Sequence, residues 1–219
     1  WLLPLAAMVM AMASLWLLLW LAGQRSQVIV LLLAGLAVGT LAGAATSVLI
    51  SLSPNPFAVT EIVFWLMGSF ENRSFQHVVL SAPFILLACA LMLRQGDAYR
   101  ALALGEETAL SLGVDVEAVR RQTLWAVAMG VGASVAVAGA IGFIGLAAPQ
   151  LMRRYHSPDP KQILLSSALT GAILLLLADL AVRLVPAQSE IKVGAVTALL
   201  GVPLYLAALR RETSLRGPV

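Results

Sequence analysis

The sequence is dominated by apolar runs, most of them long enough to cross a lipid bilayer, which alternate with short polar segments. The hydrocarbon core offers the backbone no hydrogen-bond partner, so a lipid-exposed span of about 20 residues must form a helix that pairs its own amides and carbonyls. The candidate spans are Trp1–Ala22, Val28–Leu52, Val78–Leu93, Thr123–Met152, Ile163–Val185 and Val193–Leu209. The sequence therefore predicts an all-α fold, a polytopic transmembrane helical bundle.

Composition excludes a large soluble domain. Of 219 residues, 60% are hydrophobic and 11% are charged, whereas soluble domains carry about 25% charge. Cys89 is the single cysteine and lies inside an apolar run, so no disulfide forms within the chain. The first run has no basic segment and no small-residue cleavage site, which is typical of a mid-protein span. We interpret residues 1–219 as one transmembrane domain, a fragment of a longer protein.

Basic residues indicate the orientation of the spans, because short cytoplasmic loops collect Lys and Arg. Eleven of the fourteen fall into four clusters: Arg25; Arg94, Arg100, Arg120 and Arg121; Arg153, Arg154 and Lys161; Arg210, Arg211 and Arg216. This leaves Arg73, Arg183 and Lys192 for the outer face. The basic residues flank membrane spans, so the net charge of +3 does not predict a nucleic-acid partner.

The stretch from Arg121 to Arg153 begins and ends on the cytoplasmic side, so it must enter the membrane and return. About thirty residues are too many for one spanning helix, at a rise of 1.5 Å per residue. Gly139, Gly142 and Gly145 supply a break. We predict two short helices hinged at these glycines, the second ending near Pro149.

A polar segment, residues 95–121, separates two of the apolar runs and must lie in water. Its apolar residues have helical periodicity, which predicts a short helix with one apolar face. Glycines bracket this helix, and two glutamates lie in its first turn, where their negative charge interacts favourably with the positive end of the helix dipole. The apolar face needs a covering surface, which is either a partner protein or the membrane and the chain's own bundle. The residues concerned are Leu102, Leu104, Gly105, Glu106, Glu107, Ala109, Leu110, Leu112 and Gly113.

Three smaller features complete the pattern. Pro54 and Pro56 end the preceding helix, so residues 57–68 are predicted to form a short helix at the outer face. Asp179 and Arg183 are four apart and can form an ion pair. His77 and His156 lack ligand spacing, and the sequence predicts neither a metal site nor a catalytic residue.

Five segments, in this order, resemble the signatures of FecCD-type permeases, the membrane subunits of ABC importers for ferric siderophores, haem and cobalamin. The segments are IVFWLMGS at 62–69, LGEETALSLGV at 104–114, AGAIGFIGLAAP at 138–149 followed by Arg153, LADLAVR at 177–183 and VGAVTALLGVP at 193–203. The resemblance implies the type II ABC importer permease fold. It covers nearly the whole chain, which would be the C-terminal two-thirds of such a permease.

The resemblance also implies partners and a mechanism. Two ATPase subunits would dock on the cytoplasmic side, a second permease subunit (a homodimer or a fused half) would complete the pathway, and a periplasmic binding protein would deliver substrate at the bacterial inner membrane. The sequence contains no Walker-type glycine loop. We therefore expect no enzymatic activity and no cofactor in this chain, with ATP and Mg used by the partner ATPase. Transport would proceed by alternating access.

Individual residues acquire roles from the same resemblance. The 104–113 helix would contact the ATPase, and Arg183, assisted by Arg73 and Lys192, would receive the binding protein. Small residues four apart on the second span let helices pack closely, and in the family this span lines the translocation pathway. The pathway candidates are Gly35, Gly39, Thr40, Gly43 and Ser47, with Thr46 and Ser51 adding to a mildly polar wall.

Two positions depart from the family pattern. Gln150 stands where the family commonly has His, and Lys192 where it commonly has Pro, which bears on how the last helix begins.

An ion-coupled secondary transporter is the main alternative function, although such proteins usually carry carboxylates at mid-membrane. An intramembrane enzyme would need a nucleophile–base pair or metal ligands within the spans.

Overall fold

The structure is a computed structural model that describes residues 2–23, 28–153, 159–184 and 192–215. Within these ranges the chain forms ten helices and no strand, which confirms the predicted all-α bundle. The helices are α1 Leu2–Ala22, α2 Val28–Leu52, α3 Pro56–Met67, α4 Phe75–Arg94, α5 Gly96–Ala103, α6 Glu106–Ser111, α7 Val116–Ala138, α8 Ile144–Met152, α9 Pro160–Leu184 and α10 Val193–Leu215. Arg25, Arg154, His156 and Arg216 lie outside the described residues.

Three described helices are long and apolar enough to cross a membrane: α2 from Ile29, α4 and α9. Shorter apolar stretches occur in α1, α3 and α10. Large hydrophobic side chains such as Leu86 and Leu176 are exposed along these helices. A lipid environment covers side chains of this kind, so the exposed leucines fit a membrane-embedded bundle.

The helices pack through small residues. Buried positions are mostly alanines: Ala88, Ala126, Ala133, Ala136, Ala147, Ala148 and Ala178. A Cβ added at Gly132 would lie 2.7 Å from the Cβ of Ala11, so α1 and α7 approach closely at this point. Because lipid is as apolar as leucine, membrane helices associate through such close packing rather than through the hydrophobic effect. Helices α1, α2, α4 and α7 form one packed group, and α8, α9 and α10 form another.

The break between α7 and α8 lies at the predicted glycine, but the helix lengths differ from the prediction. Helix α7 ends at Gly139, whose φ of 74° is accessible to glycine at little cost. Phe143, with φ 66°, precedes α8, which continues past Pro149 to Met152. The 23 residues of α7 span about 34 Å, whereas the nine of α8 span about 14 Å. The segment is therefore one long helix followed by a short one, not two short helices.

Helix α3 occupies the segment for which the sequence predicts a short helix, and its end is bonded to two distant parts of the chain. The Asn55 side chain accepts from the Phe57 amide (3.0 Å) and caps its first turn. At the other end, the chain after Trp65 meets the α7–α8 turn and the start of α10. Three backbone bonds make this junction: Ser69 N to Ala138 O (2.7 Å), Ala140 N to Trp65 O (3.0 Å) and Gly194 N to Gly68 O (3.3 Å).

Glycines make this three-way junction possible. A Cβ at Gly68 would overlap the Ala140 carbonyl, one at Gly139 would overlap the Trp65 carbonyl, and one at Gly194 would overlap the Met67 carbonyl. Gly68 and Gly139 also have positive φ. We call Gly68, Gly139 and Gly194 the glycine junction. It fixes α3 against both the α7–α8 turn and α10.

Candidate functional site

The polar segment that follows α4 folds into two short helices. Helix α5 is Gly96–Ala103 and helix α6 is Glu106–Ser111. Gly105 (φ 111°) separates the two helices, and Gly113 (φ 82°) follows α6. Both glycines thus bracket a helix as the sequence predicts. We call residues 96–113 the α5–α6 segment.

A small apolar core holds the α5–α6 segment to the start of α7. Ala101, Ala109 and Val116 are buried against one another, with Leu102 and Val114 packed on them. Ala109 has no exposed surface. The sequence predicts that Ala109 lies on the partner-facing surface, whereas in the structure Ala109 is buried, which corrects this prediction. Ala109 faces inward because the turn at Gly113, whose neighbour Val114 donates to the Ala109 carbonyl (3.0 Å), folds α6 back over α7.

Three leucines of the α5–α6 segment are directed away from this core. Leu104, Leu110 and Leu112 are 70%, 58% and 63% exposed. Glu106 and Glu107 lie beside them in the first turn of α6. A leucine cluster left exposed next to charged residues is typical of an interaction surface. We call Leu104, Glu106, Glu107, Leu110 and Leu112 the leucine face.

Polar contacts brace the α5–α6 segment against α7. Arg120 pairs with Glu106 at 3.2 Å. Tyr99 Oη and Thr123 Oγ1 are 2.7 Å apart, and Thr123 also donates to the Gln95 side chain at 3.2 Å. The α5–α6 segment is therefore held against α7 by polar contacts at two points.

A second brace joins α5 to the start of α9. Arg100 donates from Nε and Nη2 to the two carboxylate oxygens of Asp159, at 2.8 and 2.7 Å, and from Nη1 to Asp97 at 2.7 Å. Asp159 also accepts from the Lys161 amide (3.1 Å), which caps the first turn of α9. Paired parallel bonds of this kind are among the stronger ion pairs. The sequence predicts Arg100 as part of a basic cluster and gives no signal for its pairing with Asp159, since the two are 59 residues apart.

The Arg100–Asp159 contact holds at neutral pH. Hydrogen bonding from Arg100, and secondarily from the Lys161 amide, keeps the pKa of Asp159 below its ordinary value. A carboxylate whose folded-state pKa is lowered stabilises the fold above its unfolded pKa of about 3.9, and this contribution is lost as pH falls through the lower folded value. The ion pair is therefore present at neutral pH and is lost only when pH falls below the ordinary titration range of an aspartate.

The opposite end of α9 carries the predicted outer-rim pair. Arg183 Nε donates to Asp179 Oδ2 at 2.7 Å, so the two residues do form the expected ion pair. The Arg183 side chain is nonetheless 62% exposed. Of the three basic residues predicted for this rim, Arg183 is the one most accessible to a partner.

Lys192 and Arg73 pack against aromatic rings, and this corrects the prediction for Lys192. The Lys192 side chain is 7% exposed, pairs with Glu71 at 3.0 Å and lies 4.5 Å from the centre of the Phe64 ring. Arg73 lies 4.7 Å from the centre of the Trp65 ring and is half-buried. Lys192 is thus part of the contact between α10 and the α3–α4 loop and is not accessible for docking. Helix α10 begins regularly at Val193, so the missing proline does not prevent the helix from starting.

We expect Glu71→Gln to destabilise the fold more than Lys192→Met. Glu71→Gln leaves the buried Lys192 ammonium without this carboxylate, whereas Lys192→Met leaves a Glu71 side chain that is already 41% exposed to solvent. Removing one partner from a buried charge is costlier than replacing it by an apolar group, here by about 1–3 kcal/mol. Thermal unfolding of the purified protein in detergent measures both. Equal losses for the two variants would contradict a buried ammonium at this position.

The small-residue face of α2 is largely unoccupied in this chain. Among the described residues, Gly35 approaches Leu18 (3.7 Å from an added Cβ), and no atom beyond the adjacent backbone of α2 lies within 4 Å of an added Cβ at Gly39 or Gly43. The nearby hydroxyls bond to their own helix: Thr40 to Ala37 O, Thr46 to Ala42 O, Ser47 to Gly43 O and Ser51 to Ser47 O, at 2.9–3.0 Å. Close packing inside this part of the chain therefore does not account for the glycines at 39 and 43.

His77 has a local structural role. Its Nδ1 lies 3.0 Å from Ser74 Oγ and accepts from the Ser74 amide at 3.2 Å, which caps the start of α4. The described residues contain no cluster of His, Cys, Asp or Glu suited to a metal ion. Gln150 is half-buried within α8.

Known proteins with similar sequences and structures are transporters. The hemin transport system permease protein HmuU of Yersinia pestis is 39% identical over 186 residues, 85% of this chain and 55% of that protein. The vitamin B12 import system permease protein BtuC of Vibrio cholerae is 39% identical over 182 residues, 83% of this chain and 54% of that protein. The chain spans about half the length of these relatives.

A solved inward-facing structure, assigned to the metal-chelate type of ABC transporter, superimposes with a TM-score of 0.79 and 30% identity. The superposition covers 84% of this chain and 60% of that one. The sequence also matches the FecCD transport family over residues 1–211. The long apolar helices, the braced α5–α6 segment and these similarities have one explanation: the chain belongs to the FecCD transport family.

Proposed function

We propose that this chain is the membrane-spanning part of a permease in an ATP-driven importer of a ferric siderophore, haem or cobalamin. The importer would work by alternating access in the bacterial inner membrane. Family membership and the haem and cobalamin permeases among its relatives support this proposal. The observation that carries it is the leucine face, which lies at the end of a segment braced to two membrane helices.

The leucine face is the proposed contact with a separate ATPase subunit. Leu104, Leu110 and Leu112 supply apolar surface for a cleft in the partner, and Glu106 and Glu107 supply charge at its edge. Gly105 and Gly113 set the ends of α6. Ala109 supports the face from inside. ATP and Mg would bind the ATPase, since this sequence has no Walker-type loop.

The braces explain how an ATPase movement would reach the membrane. Displacement of the α5–α6 segment passes from α6 to α7 through Glu106 and Arg120, and from α5 to α9 through Arg100 and Asp159. Helix α9 has 25 residues and spans about 37 Å. A rigid helix of that length links the cytoplasmic contact to the outer rim at Arg183, where the periplasmic binding protein would dock.

The open face of α2 is the proposed wall of the translocation pathway. Gly35, Gly39 and Gly43 leave this face of α2 without projecting side chains, and Thr40 and Ser47 add weak polarity to it. A second permease subunit, either an identical copy or a fused half, would supply the opposite wall, with two ATPases below. A wall without charged side chains suits a bulky complex that must bind weakly and leave.

Uptake by the complete transporter in proteoliposomes tests the proposal. The permease is reconstituted with its ATPase and binding protein, and haem, cobalamin and a ferric siderophore are offered separately. We expect one of them to accumulate with ATP and not with a proton or sodium gradient alone. Gradient-driven accumulation without ATP would instead identify an ion-coupled secondary transporter.

We expect Arg100→Lys to reduce transport about fivefold while ATP hydrolysis continues. Lysine keeps the charge but cannot donate two parallel bonds to Asp159, so the brace to α9 loosens. The measurement is the ratio of substrate imported to ATP hydrolysed. Asp97→Asn is the matched control, because the Asp97 side chain is 87% exposed and contributes little to holding Arg100. Equal effects of the two variants would exclude a special role for the Arg100–Asp159 contact.

A further inference from the structure

A cleft of about 660 Å³ lies where the end of α4, helix α5 and the start of α9 meet. Its lining includes Leu93, Arg94, Arg100, Asp159, Lys161 and Leu165. The cleft lies at the cytoplasmic ends of two membrane spans, on the side that the basic clusters identify as cytoplasmic. It is separate from the leucine face and from the open face of α2.

The cleft has an excess of positive charge. Arg100 is neutralised by Asp159, the one carboxylate among the described lining residues, and by Asp97 beside it. Within the part of the chain that the structure describes, neither Arg94 nor Lys161 makes an ion pair. Lys161 also acts on Asp159 through its charge, but that carboxylate is already bound by Arg100. The positive charge lining the cleft therefore exceeds its negative charge, which favours a bound anion.

The same cleft has apolar walls continuous with the membrane-facing helices. Leu93 belongs to the last turn of α4, and Leu165, 53% exposed, belongs to the second turn of α9. The stem of Lys161 lies across Gly96, where an added Cβ would come within 2.8 Å of its Cδ. The glycine thus lets the lysine stem pack flat on α5. Cations beside the half-buried Leu93 and the exposed Leu165 form a site with one polar and one apolar side.

We propose that this cleft binds the headgroup phosphate of an anionic phospholipid from the cytoplasmic leaflet. Arg94 and Lys161 contact the phosphate, and Leu93 and Leu165 contact the first part of the acyl chains. Basic clefts between membrane helices on the cytoplasmic side are suited to anionic headgroups. A free phosphate ion would use the cations but gain nothing from the leucines.

The position of the cleft gives the lipid a consequence for transport. Arg100 and Asp159 form part of its wall, so a bound lipid packs against the brace between α5 and α9. A phosphate held by Arg94 and Lys161 adds contacts among α4, α5 and α9. The lipid thereby stiffens the base of the α5–α6 segment.

Equilibrium binding to the complete transporter in detergent tests the site. The probes are dioctanoyl phosphatidylglycerol, dioctanoyl phosphatidylcholine and inorganic phosphate. We expect phosphatidylglycerol to bind more tightly than the other two probes. The double variant Arg94→Gln with Lys161→Gln should weaken phosphatidylglycerol binding about 20- to 30-fold, because each basic residue near a membrane surface contributes about 1 kcal/mol to the binding free energy. The charge-conserving pair Arg94→Lys with Lys161→Arg should retain binding, which separates loss of the site from loss of folding.

Arg121→Gln with Arg153→Gln is the matched control, since it removes two exposed basic residues from the same side of the membrane but outside the cleft. We expect this pair to change phosphatidylglycerol binding less than about twofold. An equal loss in both double variants would mean that general surface charge attracts the lipid. Competition by inorganic phosphate at the same concentration would also overturn the proposal.

Discussion

Leu110→Asp is expected to abolish ATP-driven import while leaving the permease folded. The side chain is 58% exposed, so the substitution removes little internal packing. In the complex, burying a leucine is worth about 1.5–3 kcal/mol, and an unpaired carboxylate in the same cleft adds a desolvation cost. A loss of about 3 kcal/mol lowers the affinity for the ATPase more than about 100-fold.

Co-purification of the ATPase and substrate uptake measure this effect. Leu110→Met is the matched control, because it keeps the volume and the apolar surface and should retain most of the binding. Leu110 is a better test position than Glu106, whose replacement would also break the ion pair with Arg120. Normal ATPase binding by a folded Leu110→Asp permease would contradict the ATPase contact. It would mean that the leucine face lies on the membrane or on the bundle itself.

Gly194→Ala is expected to prevent formation of the native fold or to destabilise it by more than about 3 kcal/mol. An added Cβ would overlap the Met67 carbonyl and come within 3.1 Å of the Ala140 carbonyl. The Met67 and Ala140 carbonyl oxygens cannot move aside as a flexible side chain would, because both are backbone atoms next to the glycine junction. The start of α10 must therefore separate from α3, which breaks the bond from Gly194 N to Gly68 O.

Thermal unfolding and size-exclusion chromatography of the purified permease report the outcome. Gly145→Ala in α8 is the control, since no described atom outside the adjacent backbone of α8 lies within 4 Å of an added Cβ at that position. Alanine has the higher helix propensity, so the control should be neutral or stabilising by up to about 1 kcal/mol. A Gly194→Ala protein as stable as the Gly145→Ala protein would contradict the close backbone approach at the junction.

The sequence was informative about the helices because each one has a local cause. Apolar length defined α2, α4 and α9, glycines marked the ends of α6, and prolines marked the start of α3. The relative lengths of α7 and α8 were not predictable in the same way. The chain turns at Gly139 because its backbone meets Trp65, and no local pattern reports that contact.

The candidate site was predictable in outline but not in its contacts. The α5–α6 segment was identified from charge and periodicity, whereas the inward position of Ala109 depends on how α6 folds over Val116. Lys192 has the charge of a rim residue, and its burial against Phe64 and Glu71 is a tertiary effect. Contacts between residues far apart in sequence, such as Arg100 with Asp159, leave no periodic signal in a single chain.

Site-specific photo-crosslinking tests the coupling contact most directly. A photoreactive phenylalanine is placed at Leu110 in the complete transporter, with Leu86 as a membrane-facing control of similar exposure, 67% against 58%. We expect a covalent adduct between position 110 and the ATPase, and none between position 86 and the ATPase. Adducts from position 110 to lipid or to the permease alone would contradict the assignment of the leucine face as the ATPase contact.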